Sequence, residues 1–197
     1  MATLLDMPVD EDEVRHRLLD AAERAIVHRG DTEIRMADVA TEAGVVRSTV
    51  YRYYPTRDDL LLGLLLRRID TAVARWVREL KRPSDPAGSI RALVLNPVVS
   101  VAGDPLNAAL YASDSAALAP VLQTGAREVG DIMARHVAAL FRQWKDAGRI
   151  YPDLSLSETV QWMTATTSFL LTPHWRDRSL TAKRRFVDRY LIRALVC

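Results

Sequence analysis

The stretch from Gly44 to Arg57 combines three arginines with serine, threonine and tyrosine side chains, and it contains no acidic residue. An arginine guanidinium can bind guanine through two parallel hydrogen bonds, and hydroxyl groups can bind phosphate oxygens. A carboxylate in such a stretch would repel the phosphates. The residues just before it, 31–42, are rich in acids, so the positive charge is confined to one short element. These residue types therefore predict a contact with nucleic acid.

Two short helices separated by a glycine would position these side chains. Apolar residues at helical spacing predict a helix over Met36–Ala43, and Gly44 can take the left-handed conformation that turns the chain. A second helix is predicted from Arg47 to Tyr54, where Pro55 stops it. Two such helices form a helix-turn-helix pattern, whose second helix enters the major groove of DNA.

The second helix of this pattern is amphipathic. At about 100° per residue, Val50 and Tyr54 fall on one face, where they would be buried against the preceding helices. The polar side chains fall on the opposite face and on its flanks, where they can reach DNA. This outward set consists of Ser48, Thr49, Tyr51 and Arg52.

The rest of the chain reads as a row of helices with no convincing strand, which predicts an all-α fold. A first helix spans Glu11 to Arg29 and ends at Gly30. A fourth begins at Thr56, whose hydroxyl can cap the amide of Asp59, and extends to about Lys81. Further helices are predicted over 86–102, 120–147, 155–172 and 181–196, with a short one that starts at Asp104.

The packing pattern changes near residues 55–60, and this change places a domain boundary there. We expect a helix-turn-helix DNA-binding domain over residues 1–55. A larger helical domain would then occupy residues 56–197. A three-helix head joined to a larger helical body is thus the predicted architecture.

Composition and motifs exclude several classes of protein. The 197 residues are 49% hydrophobic and 26% charged, which is typical of a soluble globular protein. No apolar run approaches the roughly 20 residues that cross a bilayer, and the amino end is acidic, so we expect a cytoplasmic protein. Cys197 is the only cysteine, which excludes an internal disulfide and a cysteine-based metal site. The four histidines are scattered and no nucleotide-binding or hydrolase motif occurs, so we expect no enzyme, metal or cofactor.

A longer segment, about residues 14–65, resembles the DNA-binding region of the TetR family of bacterial transcription regulators. The matching residues are Ala21-Ala22, Gly30, Asp38-Val39-Ala40, Ala43-Gly44-Val45, Thr49, Tyr51-Arg52-Tyr53-Tyr54 and Asp58-Asp59-Leu60-Leu61. The resemblance implies an all-helical homodimer with a ligand-binding body, usually a repressor that a small molecule releases from DNA. It also implies that Thr49, Tyr51 and Tyr53 touch DNA and that Arg47 occupies the usual basic position.

Two positions depart from the family pattern. The family commonly has a hydroxyl residue where Arg35 and Val46 stand, and those hydroxyls cap the second and third helices. Losing such a cap costs about 0.5–2 kcal/mol unless another group substitutes. Val46 also removes an expected phosphate contact, whereas Arg35 and Arg47 add positive charge nearby. We therefore expect altered phosphate contacts rather than a loss of DNA binding, with Arg35 among the DNA-binding residues.

Large apolar side chains in the predicted body are candidates for an effector pocket, because ligand pockets are mainly apolar with a few polar groups. The candidate pocket residues are Asn107, Tyr111, Met133, His136, Trp144, Gln161 and Trp162. An aromatic residue or methionine on a helical stripe can equally be plain core, and His136 can be a core histidine with a partner. If the pocket exists, we expect a small and mainly hydrophobic effector.

The last two long helices are the best candidates for a dimer interface. Two helices from each subunit can form a four-helix bundle around a two-fold axis, although the same faces could pack within one chain. The expected partners are a palindromic double-stranded DNA operator, a small-molecule effector and a second copy of the chain. The alternative function is a helical adaptor that binds only protein, which would tolerate acids on the outward face of the third helix.

Overall fold

Helices make up most of the chain, which the computed structural model describes for residues 10–104, 106–107 and 125–197. The described residues contain no strand, only a single antiparallel bridge between Ile150 and Val196. The predicted all-α fold is therefore confirmed. The three helices of the amino-terminal head are α1 (Glu11–Arg29), α2 (Met36–Ala43) and α3 (Arg47–Tyr53).

Local signals in the sequence fix the ends of the head helices. Gly30 and Gly44 follow α1 and α2 with φ angles of 77° and 66°, the left-handed conformation that glycine adopts without a Cβ clash. The Asp10 carboxylate caps α1 by accepting the amide of Asp12. Tyr54 leaves the helical region just before Pro55, so α3 ends where the proline predicts.

A long helix, α4 (Arg57–Arg78), leads from the head into the body. Thr56 starts it through a capping box: its hydroxyl accepts the Asp59 amide at 3.1 Å, and the Asp59 carboxylate accepts the Thr56 amide at 2.9 Å. The start agrees with the sequence prediction. The end does not reach Lys81, because the helix stops at Arg78 with Glu79 as its C-cap.

The body contains the remaining helices of the described residues. They are α5 (Pro86–Gly103), α6 (Ala126–Asp146), α7 (Leu156–Leu171), α8 (Pro173–Arg176), α9 (Leu180–Val187) and α10 (Arg193–Leu195), with a π-helical segment, Asp188–Ile192, between the last two. Ser155 caps α7 as predicted. Pro173 ends α7 and also begins α8. In the first turn of a helix the backbone N–H has no partner within the helix, so a proline there costs no hydrogen bond.

The segment after α5 is described only at its beginning. The Asp104 carboxylate accepts the amides of Leu106 and Asn107, at 2.9 and 3.2 Å, which is the predicted cap. The rest of that predicted short helix lies outside the described residues. So do residues 120–124, the predicted beginning of the long helix that is described from Ala126.

Two hydrophobic cores share α4. The first unites α1, α2 and α3 with the first half of α4, through buried leucines from Leu60 to Leu65. The second unites the later part of α4, including Val73 and Trp76, with α5, α6, α7 and α9. Ile69 packs against both cores. The predicted domain boundary at residues 55/56 stays a prediction, but the packing changes further along α4.

A glycine in α4 lets the end of α3 approach closely. A Cβ built on Gly63 would lie 2.8 Å from Cε1 of Tyr54, the buried residue that ends α3. Real Cβ atoms do not come this close to another carbon, so only glycine fits at this position without movement of the ring. Gly63 therefore helps to set how α3 is seated on α4.

We expect Gly63→Ala to destabilise the protein by about 1–3 kcal/mol, because the added methyl overpacks a filled core. Gly130→Ala is the matched control, since a Cβ there meets no atom within 4 Å. This control should stabilise α6 by about 0.5–1 kcal/mol through helix propensity. Free energies of unfolding from urea titration measure both effects. Equal effects at the two glycines would contradict the close contact at Gly63.

Candidate nucleic-acid interface and body cavity

The inner face of α3 anchors the helix in the head. Val50 is fully buried, and the ring of Tyr54 is buried beside Gly63. Burial raises the pKa of Tyr54 above its usual value, against smaller opposing effects from the positive charges of Arg15 and Arg67. The phenol is therefore neutral at physiological pH, as an apolar site requires. The predicted anchoring by these two side chains is observed.

The polar side of α3 faces solvent. Its exposed residues are Arg47, Ser48, Tyr51 and Arg52. Thr49 and Tyr53 are half-buried, and Tyr53 packs against the first core. Arg35 is exposed at the N-cap of α2. The fold thus brings the predicted DNA-binding residues onto two consecutive short helices, and their contact with DNA stays a prediction.

Each arginine of α3 is held against a tyrosine. Nη2 of Arg47 donates to the Tyr51 hydroxyl at 3.0 Å, and its guanidinium carbon lies 5.3 Å from the ring centre. Nη2 of Arg52 donates to the Tyr53 hydroxyl at 3.1 Å, with the guanidinium 4.9 Å from that ring centre. Arg15 of α1 lies 5.3 Å from the Tyr53 ring centre as well. Sequence analysis missed Arg15, because nothing in the spacing of α1 relates it to α3.

The charge of α3 is uncompensated within the described part of the chain. There, no carboxylate lies within 4 Å of the guanidinium of Arg47 or Arg52. Three arginines in or next to the head do pair with acids. These pairs are Arg24–Glu42 and Arg57–Glu33, both at 2.6 Å, and Arg29–Asp31 at 3.4 Å. Positive charge without an internal partner is what a phosphate backbone requires of a protein surface.

Both departures from the family pattern leave a helix without a side-chain cap. Neither Arg35 before α2 nor Val46 before α3 makes a capping hydrogen bond. Val46 is 67% exposed, so its side chain packs on little of the head. The expected loss of both caps is therefore observed, and no other side chain among the described residues replaces them.

A network of ion pairs, which we call the junction, joins the head to the body. Arg67 of α4 binds Asp20 and Glu23 of α1, at 2.6 and 3.0 Å. Arg68 binds Glu23 at 2.6 Å and Asp104, just after α5, at 2.5 Å. The Arg68 side chain is only 23% exposed, so solvent screens these pairs less than it screens surface pairs. The junction links α1, α4 and the end of α5 directly.

Removing the central acid of the junction should be costly. We expect Glu23→Gln to destabilise the protein by about 1–3 kcal/mol, because two partly buried guanidinium groups lose their shared carboxylate. Glu42→Gln removes an equally short but well-exposed pair with Arg24, so its expected effect is below about 0.5 kcal/mol. Urea denaturation at pH 7 measures both values. If Glu42→Gln costs as much as Glu23→Gln, the junction has no special role in stability.

A cavity of about 1840 Å³ lies between α4, α5, α6 and α7. Its apolar wall includes Ile69, Trp76 and Met133, while α7 contributes uncharged polar side chains such as Gln161 and Ser168. Four junction residues also border it: Glu23, Arg67, Arg68 and Asp104. The volume exceeds the roughly 300–1,000 Å³ of common ligand pockets. A largely apolar molecule in this space would therefore lie next to the link between head and body.

The predicted pocket residues divide into three groups. Asn107, Met133 and Gln161 line the cavity, and a role in effector binding stays a prediction for them. Tyr111 lies outside the described residues. His136, Trp144 and Trp162 do not border the cavity, for three different reasons.

The three residues that do not border the cavity have other partners or other surroundings. Trp144 is 1% exposed in the second core, and its indole nitrogen donates to the Pro83 carbonyl at 2.7 Å. His136 has the polar partner that a core histidine needs, because its Nε2 lies 2.7 Å from Oδ1 of Asp70 in α4. Trp162 does not line the cavity and is 46% exposed. These three side chains do not line this cavity, and a role for them in effector binding stays a prediction.

Aromatic side chains form a row across α7 and α9. Phe169 and Phe186 have ring centres 5.4 Å apart, and Phe186 lies 4.9 Å from Tyr190 in the π-helical segment. Trp162, Phe169 and Tyr190 are all exposed. Exposed aromatic side chains on neighbouring helices are typical of surfaces that bind another protein chain.

Neither a metal-binding cluster nor a membrane-spanning helix occurs in the described part of the chain. Across residues 10–104, 106–107 and 125–197, no group of three or more histidine, cysteine, aspartate or glutamate residues is arranged to hold a metal ion. Over the same residues, every helix is too short or too polar to span a bilayer.

Comparison with known proteins gives consistent results. The family model described as bacterial regulatory proteins, tetR family, matches residues 18–64. The regulator TtgR of Pseudomonas putida is 34% identical over 88 residues, which are 44% of this chain and 41% of TtgR. The match thus spans less than half the length of that relative. The repressor LfrR of Mycolicibacterium smegmatis is 32% identical over 129 residues, which are 59% of this chain and 67% of LfrR.

The solved structures agree on the fold. The transcriptional repressor QsdR of R. erythropolis superposes with a TM-score of 0.72 over 94% of this chain and 96% of QsdR. The sequences are 19% identical, so this likeness concerns the fold alone. A head and a body arranged as described above therefore occur together in a known regulator.

Proposed function

The chain belongs to the TetR family of bacterial regulatory proteins, and from this premise we propose that it represses transcription by binding a palindromic DNA operator. A small hydrophobic effector in the body releases it from that operator. The proposal places the protein in the cytoplasm and gives it no catalytic residue. Residues 1–55 read DNA in this proposal, and residues 56–197 bind the effector and the second subunit.

One observation carries the DNA-binding part of the proposal: the exposed face of α3 has two arginines without an acidic partner in the described chain. Arg47 and Arg52 can take phosphate oxygens as their missing anions, or bind guanine through two hydrogen bonds. Ser48, Thr49 and Tyr51 supply hydroxyl groups beside them. An adaptor that binds only protein has no need of an acid-free face, so this face favours DNA over the alternative function.

The proposed dimer uses α7 and the last helical run, α9 to α10. Their exposed aromatic row provides the apolar centre that such an interface requires, with Trp162 and Phe169 on α7 and Tyr190 on the π-helical segment. Two chains related by a two-fold axis present two heads. The heads must then lie about 34–36 Å apart, or a multiple of this distance, to enter successive major grooves.

The proposed release mechanism passes through α4 and the junction. An effector that fills the cavity contacts α4 near Ile69 and lies beside Arg68, which binds both α1 and the segment after α5. A shift of α4 moves the head, because the first half of α4 is buried in the head's own core. The effector must bind the released state more tightly than the DNA-bound state, since equal affinities would shift nothing.

The experiment that tests DNA binding is selection of duplexes from a random pool at stated salt. We expect the selected duplex to be palindromic and to bind two chains, with the stoichiometry measured by sedimentation. Arg52→Ala should weaken binding to it about 5–100-fold for each half-site, the loss expected for one base contact. Arg142→Ala is the matched control, because Arg142 is an exposed arginine of α6, far from α3 in sequence.

Two results would contradict this proposal. One is a pool that yields no preferred duplex even at low ionic strength, which removes sequence-specific DNA binding. The other is an equal loss of affinity in Arg52→Ala and Arg142→Ala, which would mean that net charge, not α3, drives binding. A preferred duplex without two-fold symmetry would instead count against the dimer.

The effector is tested with a panel of apolar compounds, scored by calorimetry and by operator affinity. Compounds that bind should weaken operator binding at least about tenfold, a coupling of the usual size. Ala165→Trp places a large ring in the exposed part of the cavity wall and should abolish binding. Ala139→Trp, on an exposed position of α6 that does not border the cavity, should leave binding unchanged. Ligands that bind without altering operator affinity would refute the release mechanism.

A further inference from the structure

Val46 is an exposed apolar residue at the start of the recognition helix. It immediately precedes α3 in an extended conformation, with φ −73° and ψ 149°. Its carbonyl accepts the Thr49 amide at 2.9 Å, but its side chain makes no capping bond and is 67% exposed. By contrast, the adjacent Val45 packs against the head core. The backbone of Val46 therefore serves the helix, while its isopropyl group has no comparable role in the fold.

Valine is a poor residue for this position on structural grounds. Serine, threonine, asparagine or aspartate would accept an amide hydrogen bond here, and valine cannot. The isopropyl group does not offset that loss through burial, because most of it remains in water. A single exposed valine is ordinary on a protein surface. This one differs from Val27, another exposed valine of the head, in its position beside the acid-free polar face of α3.

The residues around Val46 indicate what it contacts. Arg47 and Ser48 follow it directly and are exposed, and the first residues of a recognition helix are those that reach base edges. In the major groove only thymine presents an apolar group, its C5-methyl. Any other base would place donors or acceptors against the isopropyl group, where they would lose water without gaining a hydrogen bond.

We propose that Val46 contacts the C5-methyl group of one thymine in each half-site and so selects thymine at that position. This inference rests on the proposed DNA-binding function, and it adds a base contact that the outward polar set of α3 does not contain. The contact would also give a role to the valine side chain, which makes no capping hydrogen bond and so does not stabilise α3. Val46 acts here by apolar contact alone, so it contributes no charge to phosphate binding.

The test removes the methyl group from the DNA. In the selected operator, each thymine is replaced by deoxyuridine at symmetry-related positions, one pair at a time, and Kd is measured by fluorescence anisotropy with the full-length chain. At one pair the wild type should lose about fourfold in affinity per half-site, or about 15-fold in total, the effect of one buried methyl group. Hydrogen bonding and backbone charge are the same in both duplexes.

Two variants assign that methyl group to a side chain. Val46→Ala should bind the thymine and deoxyuridine duplexes at that pair with nearly equal affinity, and circular dichroism should show an unchanged fold, since the side chain is exposed. Thr49→Ser is the matched control, because it deletes one methyl group from the neighbouring outward residue and keeps the hydroxyl. It should retain the full preference for thymine at the Val46 position.

The outcomes separate this inference from the function beneath it. Failure to select any duplex would overturn the proposed function. If an operator is selected but no replacement of thymine by deoxyuridine lowers its affinity, only the role of Val46 is overturned. The same holds for a thymine whose preference survives in Val46→Ala, or one whose preference is lost in Thr49→Ser instead.

Discussion

The burial of α4 in two cores is the constraint on which the rest of the structure depends. Leu60 to Leu65 belong to the core of the head, and Val73 and Trp76 belong to the core of the body. A single helix without an internal break passes from one to the other, with Ile69 touching both. No flexible linker separates the two parts at this point. A displacement of the body end of α4 must therefore appear at the head, which makes the helix a rigid connection between the cavity of the body and α3.

The junction gives that connection a second path. Arg67 and Arg68 hold acids from α1 on one side, and Arg68 also holds Asp104 on the other. Since the same side chains border the cavity, the charges that orient the head lie beside the space that a ligand would fill. A network of this kind has few alternative arrangements, because each carboxylate removed leaves a partly buried guanidinium with one acidic partner instead of two. The two cores thus join α4 to head and body by packing, and the ion pairs join it to the end of α5 as well.

The head was predictable from sequence and the body only in part, for physical reasons. Head helices begin and end at local signals, such as the positive φ of Gly30 and Gly44 and the capping box at Thr56, which need no knowledge of distant residues. Pocket lining depends instead on which helix faces which. Periodicity correctly put His136 and Trp144 on an inward stripe, but it could not show that their partners are Asp70 and the Pro83 carbonyl. The residues paired in the junction are separated by 36 to 47 positions in the sequence, so no local pattern predicts it.

The arginine–tyrosine pairs on α3 have a consequence for the kinetics and thermodynamics of recognition. Long side chains that sample many rotamers in the free protein lose that freedom when they bind, at about 0.5–1.5 kcal/mol for each immobilised group. Arg47 and Arg52 already rest against the rings of Tyr51 and Tyr53 before any duplex arrives. The unbound surface is thus partly organised in advance. Replacing the tyrosines by smaller residues would therefore weaken DNA binding, because the neighbouring arginines would become more mobile in the free protein. This holds even if the tyrosine hydroxyls make no contact with DNA.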